Sequence, residues 1–120
     1  MKPKIDAAEF GSITIDGKTF KHDVIIRLSG EVKKRKKKLS KVIYGSSHII
    51  SLEEAKYVYE KDAQHIIIGA GQYGIVKLSD EAEDFFRKKK CPVDLLPTPK
   101  AIQSWNTIRG SKIGLFHVTC

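Results

Sequence analysis

The stretch Ile66-Ile67-Ile68-Gly69-Ala70-Gly71-Gln72-Tyr73-Gly74 places a glycine-rich turn directly after a short β-branched run. A short, β-branched apolar run that ends in glycine predicts a buried β-strand. The glycines have the G-x-G-x-x-G spacing of a dinucleotide-binding turn. In that fold a helix begins within the glycine motif, so that its unpaired backbone N–H groups meet the pyrophosphate. The residues after the turn therefore decide between a nucleotide-binding sheet and a different α/β fold.

These following residues argue against a dinucleotide site. Ile75 to Leu78 alternate like an extended segment, and the next helix cap, Ser79, comes five residues after Gly74. Asp94 has the separation expected of the acid that binds the ribose, but it begins a strand instead of ending one. We therefore interpret the glycines as a turn that lets the backbone bend and pack closely. Because the turn follows a strand of an α/β sheet, it is still where a ligand is expected to bind.

Strand and helix signals surround this stretch. Before it, Asp16-Gly17 predicts the turn of a β-hairpin, and Asp23 to Leu28 predict a further strand. Ser51, with Glu54 three residues later, predicts a helix that begins with a capping box. The predicted elements after the turn are a helix from Ser79, a strand over Val93 to Leu96, a helix that Thr98 caps and Gly110 ends, and a strand over Ile113 to Val118.

This order of elements predicts an α/β fold of three layers. Strands that alternate with helices favour a mixed central sheet that is flanked by helices. The N-terminal strands would then add an extra β-hairpin layer. Because no linker or internal repeat interrupts the pattern, we expect residues 1–120 to form a single domain.

The composition indicates a globular protein of the cytoplasm. Apolar residues make up 41% of the chain and charged residues 30%, which is typical of globular domains and not of disordered chains. No apolar run approaches the roughly 20 residues that span a bilayer, so we expect no membrane partner. The two cysteines, Cys91 and Cys120, form no C-x-x-C pair, and a reducing cytoplasm is the expected location.

Most of the net charge of +8 is concentrated in one run of seven cations, which leaves +1 for the rest of the chain. The basic run consists of Lys33, Lys34, Arg35, Lys36, Lys37, Lys38 and Lys41. Such a run would bind polyanions, including nucleic acid without sequence preference. It lacks interleaved aromatic side chains that stack on bases, and it matches no known nucleic-acid-binding motif. We therefore favour a solvated loop or an exposed edge strand, where lysines discourage aggregation.

Several segments, taken in order, resemble a known family. They are Gly11 with Ile13, Gly30-Glu31-Val32, Tyr44 to His48, Ile67 to Gly71 and His117 to Cys120. Their order and spacing resemble the adipogenesis-associated domain family, and Tyr44 to His48 and the ending His117 to Cys120 most resemble its archaeal branch. The resemblance covers the chain from Phe10 to Cys120. It implies a three-layer α/β fold with a mixed central sheet and an extra β layer.

The same resemblance implies no established enzyme activity. Eukaryotic relatives are linked to fat-cell differentiation and to mitochondrial complex I assembly, which suggests an assembly or interaction role. Bacterial and eukaryotic relatives tend to carry a tryptophan after the Gly30-type turn, where this chain has Lys33 to Lys38. We therefore expect no function here that depends on that tryptophan.

A small-ligand site is predicted where strand ends meet the glycine turn. Backbone N–H groups beside polar side chains would suit an anion or another small ligand. The candidate residues are Ser46, Ser47, His48, Gly69, Gly71, Gln72 and Thr98. Alternatively, the two serines turn the chain before the helix and His48 hydrogen-bonds locally.

Catalytic and metal sites have less support. Cys120 could act as a nucleophile with His117 or His48 as its base, but His117 and Cys120 are three apart on an extended segment and would point to opposite faces. No third residue orients the base, so we predict no catalytic residue. The four histidines are scattered and the cysteines are far apart, so we predict no metal site and no cofactor.

Three functions follow from the sequence. The favoured one is a small interaction or assembly domain without enzyme activity, with an unidentified protein partner or with a second copy of itself. The alternative is a small-molecule-binding or anion-binding protein, or a weak enzyme, with a pocket at His48 and the Gly69–Gly74 turn. The least favoured is sequence-independent nucleic-acid binding through Lys33–Lys41.

Overall fold

Ten strands and four helices form the computed structural model, which describes residues 2–119. In chain order they are β1 (Ile5–Glu9), β2 (Ser12–Ile15), β3 (Lys18–Phe20), β4 (Val24–Ile26), β5 (Val32–Lys34), α1 (Lys38–Tyr44), β6 (Ile49–Ile50), α2 (Leu52–Val58), β7 (His65–Ala70), β8 (Lys77–Leu78), α3 (Asp80–Lys88), β9 (Val93–Leu96), α4 (Thr98–Thr107) and β10 (Lys112–His117). None of the helices in this range is long and apolar enough to cross a membrane.

Five strands form the central sheet, in the order β5-β4-β10-β7-β9. β7 lies parallel to both β10 and β9, and Ile67 stands opposite Gly114 on one side and Asp94 on the other. β4 runs antiparallel to β10, and β5 runs antiparallel to β4. The predicted mixed central sheet is therefore confirmed, and β5 and β9 form its two edges.

The predicted N-terminal hairpin layer is also confirmed. β1, β2 and β3 form a separate antiparallel sheet. The turn between β2 and β3 has positive φ at both central residues, 48° at Asp16 and 80° at Gly17. A type I′ turn requires this backbone, which Asp-Gly tolerates.

Apolar side chains on the two faces of the central sheet build two cores. On one face, Ile66 and Ile68 pack against α2 and α3. On the other face, Ile67 packs with Trp105 of α4 and Ile13 of the hairpin. Because successive side chains of a strand point to opposite faces, the continuous apolar run of β7 is buried on both. The layers are thus α2 with α3, then the sheet, then α4 with the hairpin.

Two predicted helix starts have different outcomes. Ser51 caps α2 as predicted, since its hydroxyl accepts the N–H of Glu54 at 3.1 Å. The N–H of Ser51 donates to the hydroxyl of Ser40 at 2.9 Å, and the carboxylate of Glu54 turns inward instead of closing the capping box. The predicted cap at Thr98 is wrong, because α4 already includes Thr98 and Pro97 precedes it as the N-cap.

The basic run continues from an edge strand into a helix. Lys33 and Lys34 belong to β5, in agreement with the edge-strand interpretation. Lys38 and Lys41 belong to α1, which has no side-chain cap and was not indicated by the sequence pattern. The run therefore covers two surfaces, one on each side of Arg35.

Candidate functional site

Arg35 lies in the interior, with 4% of its surface exposed. Its Nε and Nη2 donate to the two carboxylate oxygens of Glu54 at 2.6 and 3.0 Å. Its Nη1 donates to Asp23 at 3.0 Å, and its Nη2 also donates to the carbonyl oxygen of Ser47 at 2.9 Å. Burial would lower the pKa of Arg35, but the bonds and charges of Glu54 and Asp23 outweigh burial and raise it. Arg35 is therefore not an exposed cation, and its predicted role in polyanion binding is corrected.

Glu54 connects this cation to α1. Its side chain is fully buried, and its carboxylate also accepts a short hydrogen bond from the hydroxyl of Ser40. Ser51 donates its own hydroxyl to the carbonyl oxygen of Leu39 at 2.8 Å, which holds the two helices together. Every buried side-chain polar atom within residues 2–119 has a hydrogen-bond partner. The buried charges thus meet the condition under which proteins tolerate them.

Asp23 extends the cluster to the end of β10. Its Oδ2 lies 2.8 Å from Nδ1 of His117, and its Oδ1 accepts the N–H of Val118 at 2.9 Å. Burial would raise the pKa of Asp23, but these bonds and the charges of His117 and Arg35 lower it to about 2. Because ionised Asp23 only accepts hydrogen bonds, Nδ1 of His117 carries a proton. Nε2 of His117 then faces the hydroxyl of Thr119, 3.2 Å away.

Several of the predicted ligand residues meet around His117. The ring of His48 packs edge-on against that of His117, with centroids 5.5 Å apart. The hydroxyl of Thr98 donates to the carbonyl oxygen of His117 at 3.0 Å. Ser46 accepts the N–H of His48 at 3.0 Å, as expected if the serines turn the chain. The structure therefore gathers Ser46, Ser47, His48 and Thr98 at the carboxyl end of β10.

The glycine turn is closed by Thr98. The N–H of Gly71 donates to the hydroxyl of Thr98, and the carbonyl oxygen of Gly71 accepts the N–H of Thr98, both at 3.0 Å. A Cβ on Gly69 would lie 2.7 Å from the ring of Phe116 and 3.0 Å from Oγ1 of Thr98. These contacts support the interpretation that the glycines serve close packing. Gln72, half-buried, lies in the same turn.

An open cleft of about 800 Å³ lies between α3, β8 and β9. None of the predicted ligand residues lines it. Its apolar residues are Leu78, Phe86, Cys91, Pro92, Val93 and Leu95, and its charged residues are Lys77, Glu83, Arg87 and Lys90. Cys91 is a free cysteine, and burial raises the pKa of its thiol, so it is not activated as a nucleophile. Cys120, the other candidate nucleophile, lies outside the described residues.

The outer edge of β9 borders this cleft. The N–H of Ile66 donates to the carbonyl oxygen of Pro92 at 3.0 Å, and Ile66 stands opposite Val93 in the parallel ladder. In a parallel ladder this pattern directs the backbone groups of Asp94 toward β7 and those of Val93 and Leu95 away from it. Val93 and Leu95 therefore combine outward N–H and carbonyl groups with side chains that line the cleft.

A protein-family model described as a protein of unknown function (DUF498/DUF598) matches residues 5–114. The chain belongs to this family. The match confirms the family that the sequence motifs resemble. No group of three or more His, Cys, Asp or Glu side chains within residues 2–119 is placed to hold a metal ion in this family member.

Solved structures of relatives share the fold over their whole length. A conserved hypothetical protein from Pyrococcus horikoshii is 33% identical, with a TM-score of 0.88 over 98% of this chain and 99% of that chain. A protein described as MT938 is 30% identical, with a TM-score of 0.83 over 99% of this chain and 100% of that chain. A Bordetella parapertussis protein, at 14% identity and a TM-score of 0.75 over 98% and 96%, shares the fold alone. The Pyrococcus relative agrees with the expected archaeal branch.

The sequence pattern did not indicate the buried cluster of Arg35, Glu54 and Asp23, because each of these residues has a simpler local explanation. Arg35 is the single arginine among six consecutive cations, and its planar fork suits a bidentate carboxylate better than lysine does. An arginine within a run of lysines is therefore the signal that could have identified Arg35 as a buried partner of a carboxylate. Glu54 occupies a capping position, and Asp23 precedes a strand, so neither appears as a partner for an arginine.

Proposed function

We propose that the chain is an interaction domain that binds an extended segment of a partner protein along the outer edge of β9. One observation carries this proposal: the backbone groups of Val93 and Leu95 face away from the sheet, while the side chains of both residues line the cleft. An added strand would hydrogen-bond to these backbone groups, and its alternate side chains would enter the cleft. The main-chain bonds would supply affinity and the cleft would supply sequence preference.

The rim of the cleft defines the charge of the segment. Its charged residues are Lys77, Glu83, Arg87 and Lys90. Because Arg87 is already paired with Asp84 of α3, the two lysines leave the rim basic. The floor contains Phe86 and the other apolar residues of the cleft. A segment that alternates apolar residues with Asp or Glu would therefore match both the floor and the rim.

The alternative pocket near the glycine turn has less support. Both backbone hydrogen-bonding groups of Gly71 are occupied by Thr98. His117 is 2% exposed, and its Nε2 faces Thr119. A ligand would have to displace these contacts, whereas the β9 edge offers backbone groups directed away from the sheet. The assembly role suggested by the family resemblance agrees with the interaction proposal.

Selection from a library of random extended peptides tests this proposal. We expect the chain to select peptides with alternating apolar and acidic residues. Binding should slow amide hydrogen exchange at Val93 and Leu95, whereas Asp94, whose N–H faces β7, should change little. The double substitution K77E/K90E should shift the selection toward basic peptides, because it inverts the charge of the rim.

Substitutions at Leu95 separate its backbone role from its side-chain role. Leu95→Pro removes an outward N–H without touching the ladder to β7 and should abolish peptide binding. Leu95→Ala keeps the N–H and should weaken peptide binding without abolishing it. Phe10→Ala, an exposed residue on the hairpin, is the matched control and should have no effect. Selected peptides that slow amide exchange only at residues outside β9 would overturn the proposal. It would also be overturned if the chain forms a dimer through this edge and Leu95→Pro makes it monomeric.

A further inference from the structure

We propose that the outward face of α1 binds the surface of an anionic lipid bilayer. The inference is independent of the β9 edge, because no residue of α1 lines the cleft beside β9. It rests on two observations in one short segment: exposed lysines that have no acidic partner, and exposed aliphatic side chains among them.

α1 contacts the rest of the protein through a narrow face. Ser40 is fully buried, and its hydroxyl donates to the carboxylate of Glu54. One turn later, the hydroxyl of Tyr44 donates to Glu81 at 3.3 Å. At 3.6 residues per turn, Lys38 and Val42 lie on the side away from Ser40 and Tyr44, and Lys41 lies on the flank between the two sides. The helix is therefore fixed on one side and exposed on the other.

The exposed side is basic and is not neutralised. Lys37, Lys38 and Lys41 are exposed, and within residues 2–119 none of them has an acidic partner. Lys36 lies with its ammonium 5.2 Å from the centre of the Tyr57 ring. No Asp or Glu occurs in the chain between Glu31 and Glu53. The positive potential of this surface is thus available to an external anion.

Two aliphatic side chains interrupt this basic surface. Val42 is 83% exposed and Ile43 is 55% exposed, and they are the two residues after Lys41. Aliphatic side chains gain nothing from a phosphate backbone, and nucleic-acid surfaces instead use aromatic side chains that stack on bases. At a bilayer surface, the same side chains would enter the boundary between headgroups and acyl chains while the lysines meet anionic headgroups.

The combination therefore fits a membrane surface better than a nucleic acid. We expected no membrane partner because no apolar run is long enough to span a bilayer, but contact with the bilayer surface does not require a spanning segment. Lysines near an anionic surface strengthen binding roughly fivefold each, and a few apolar side chains add to that effect. α1 supplies both kinds of residue without any change in the fold.

Co-sedimentation of the full chain with lipid vesicles tests the inference. We expect binding to phosphatidylcholine vesicles that contain phosphatidylserine, weaker binding at high salt, and none to phosphatidylcholine alone. The triple substitution K37Q/K38Q/K41Q should reduce binding about a hundredfold by the same lysine contribution. The matched control K21Q/K88Q/K100Q removes the same charge from three exposed lysines elsewhere and should change binding little.

The aliphatic residues distinguish the lipid from other polyanions. V42S/I43S should weaken vesicle binding several-fold, and Phe10→Ser, a loss of apolar surface on the hairpin, should not. Single-stranded RNA of mixed sequence serves as the second probe. RNA binding that V42S/I43S leaves unchanged, without vesicle binding, would overturn the lipid proposal in favour of nucleic acid. Binding to neither probe at low salt would overturn it outright.

Discussion

Arg35 and Glu54 form a bidentate ion pair in the interior, with N···O distances of 2.6 and 3.0 Å between two guanidinium nitrogens and the two carboxylate oxygens. The arginine comes from the segment after β5 and the glutamate from the first turn of α2. Asp23 and Ser47 accept further hydrogen bonds from the guanidinium, and Nδ1 of His117 lies 3.2 Å from its Nη1. The pair therefore joins the sheet edge to α2 through charges that are not exposed to water.

Breaking this pair should destabilise the fold strongly. Glu54→Gln leaves the Arg35 cation buried beside a neutral amide, and we expect it to lower the free energy of unfolding by about 3–5 kcal/mol. Urea denaturation followed by circular dichroism measures the change. Glu53→Gln, at the neighbouring exposed position, should change stability by less than about 0.5 kcal/mol. Equal effects at the two positions would show that the buried pair has no special role.

Asp23 should make stability depend on pH in the acid range. Its pKa falls from 3.8 to about 2 on folding, so its contribution is present above pH 3.8 and is lost as the pH falls toward 2. The shift corresponds to about 2 kcal/mol. Asp23→Asn should remove this part of the pH dependence, whereas Glu9→Gln, at an exposed site, should preserve it. An unchanged acid slope in Asp23→Asn would contradict the assignment.

Thr98 should stabilise the glycine turn through its hydroxyl. Thr98→Val keeps the shape of the side chain but leaves the N–H of Gly71 and the carbonyl oxygen of His117 without that partner. We expect a loss of about 1–3 kcal/mol and faster amide exchange at Gly71. Thr98→Ser retains the hydroxyl and should lose less. In Thr14→Val, which removes an exposed hydroxyl pair with Thr19, the loss should be small.

Gly69 should tolerate no side chain. A Cβ at this position would lie 2.7 Å from the ring of Phe116, so Gly69→Ala should cost about 1–3 kcal/mol through overpacking. Phe116→Leu removes ring atoms from the same contact. The double variant should therefore be more stable than the sum of the two single effects predicts. Additive effects in thermal unfolding would place the strain elsewhere.

Local patterns in the sequence predicted the elements that depend on near neighbours. The turn at Asp16-Gly17 follows from the positive φ that these residues accept. Ser51 caps α2 because its partner, Glu54, is three residues away. The apolar run of β7 indicated a strand that is buried on both faces.

Thr98 shows where the same reasoning fails. Its position before a proline suggested a helix cap, but its hydroxyl partner, Gly71, lies 27 residues away along the chain. A bond to the neighbouring strand competes with the local cap, and only the packing of α4 beside β7 decides the outcome. The same holds for Glu54, whose carboxylate bonds to Arg35 instead of closing a capping box.

The sequence by itself determined the order of the main strands and helices, apart from α1, together with the family and the location of the basic run. These depend on residue types and on spacings of a few residues. The tertiary structure alone decided that Arg35 is buried, that the lysines beyond it stand on α1, and that β9 ends the sheet beside an open cleft. Strand order and burial depend on contacts between residues far apart in the chain, which no local pattern specifies.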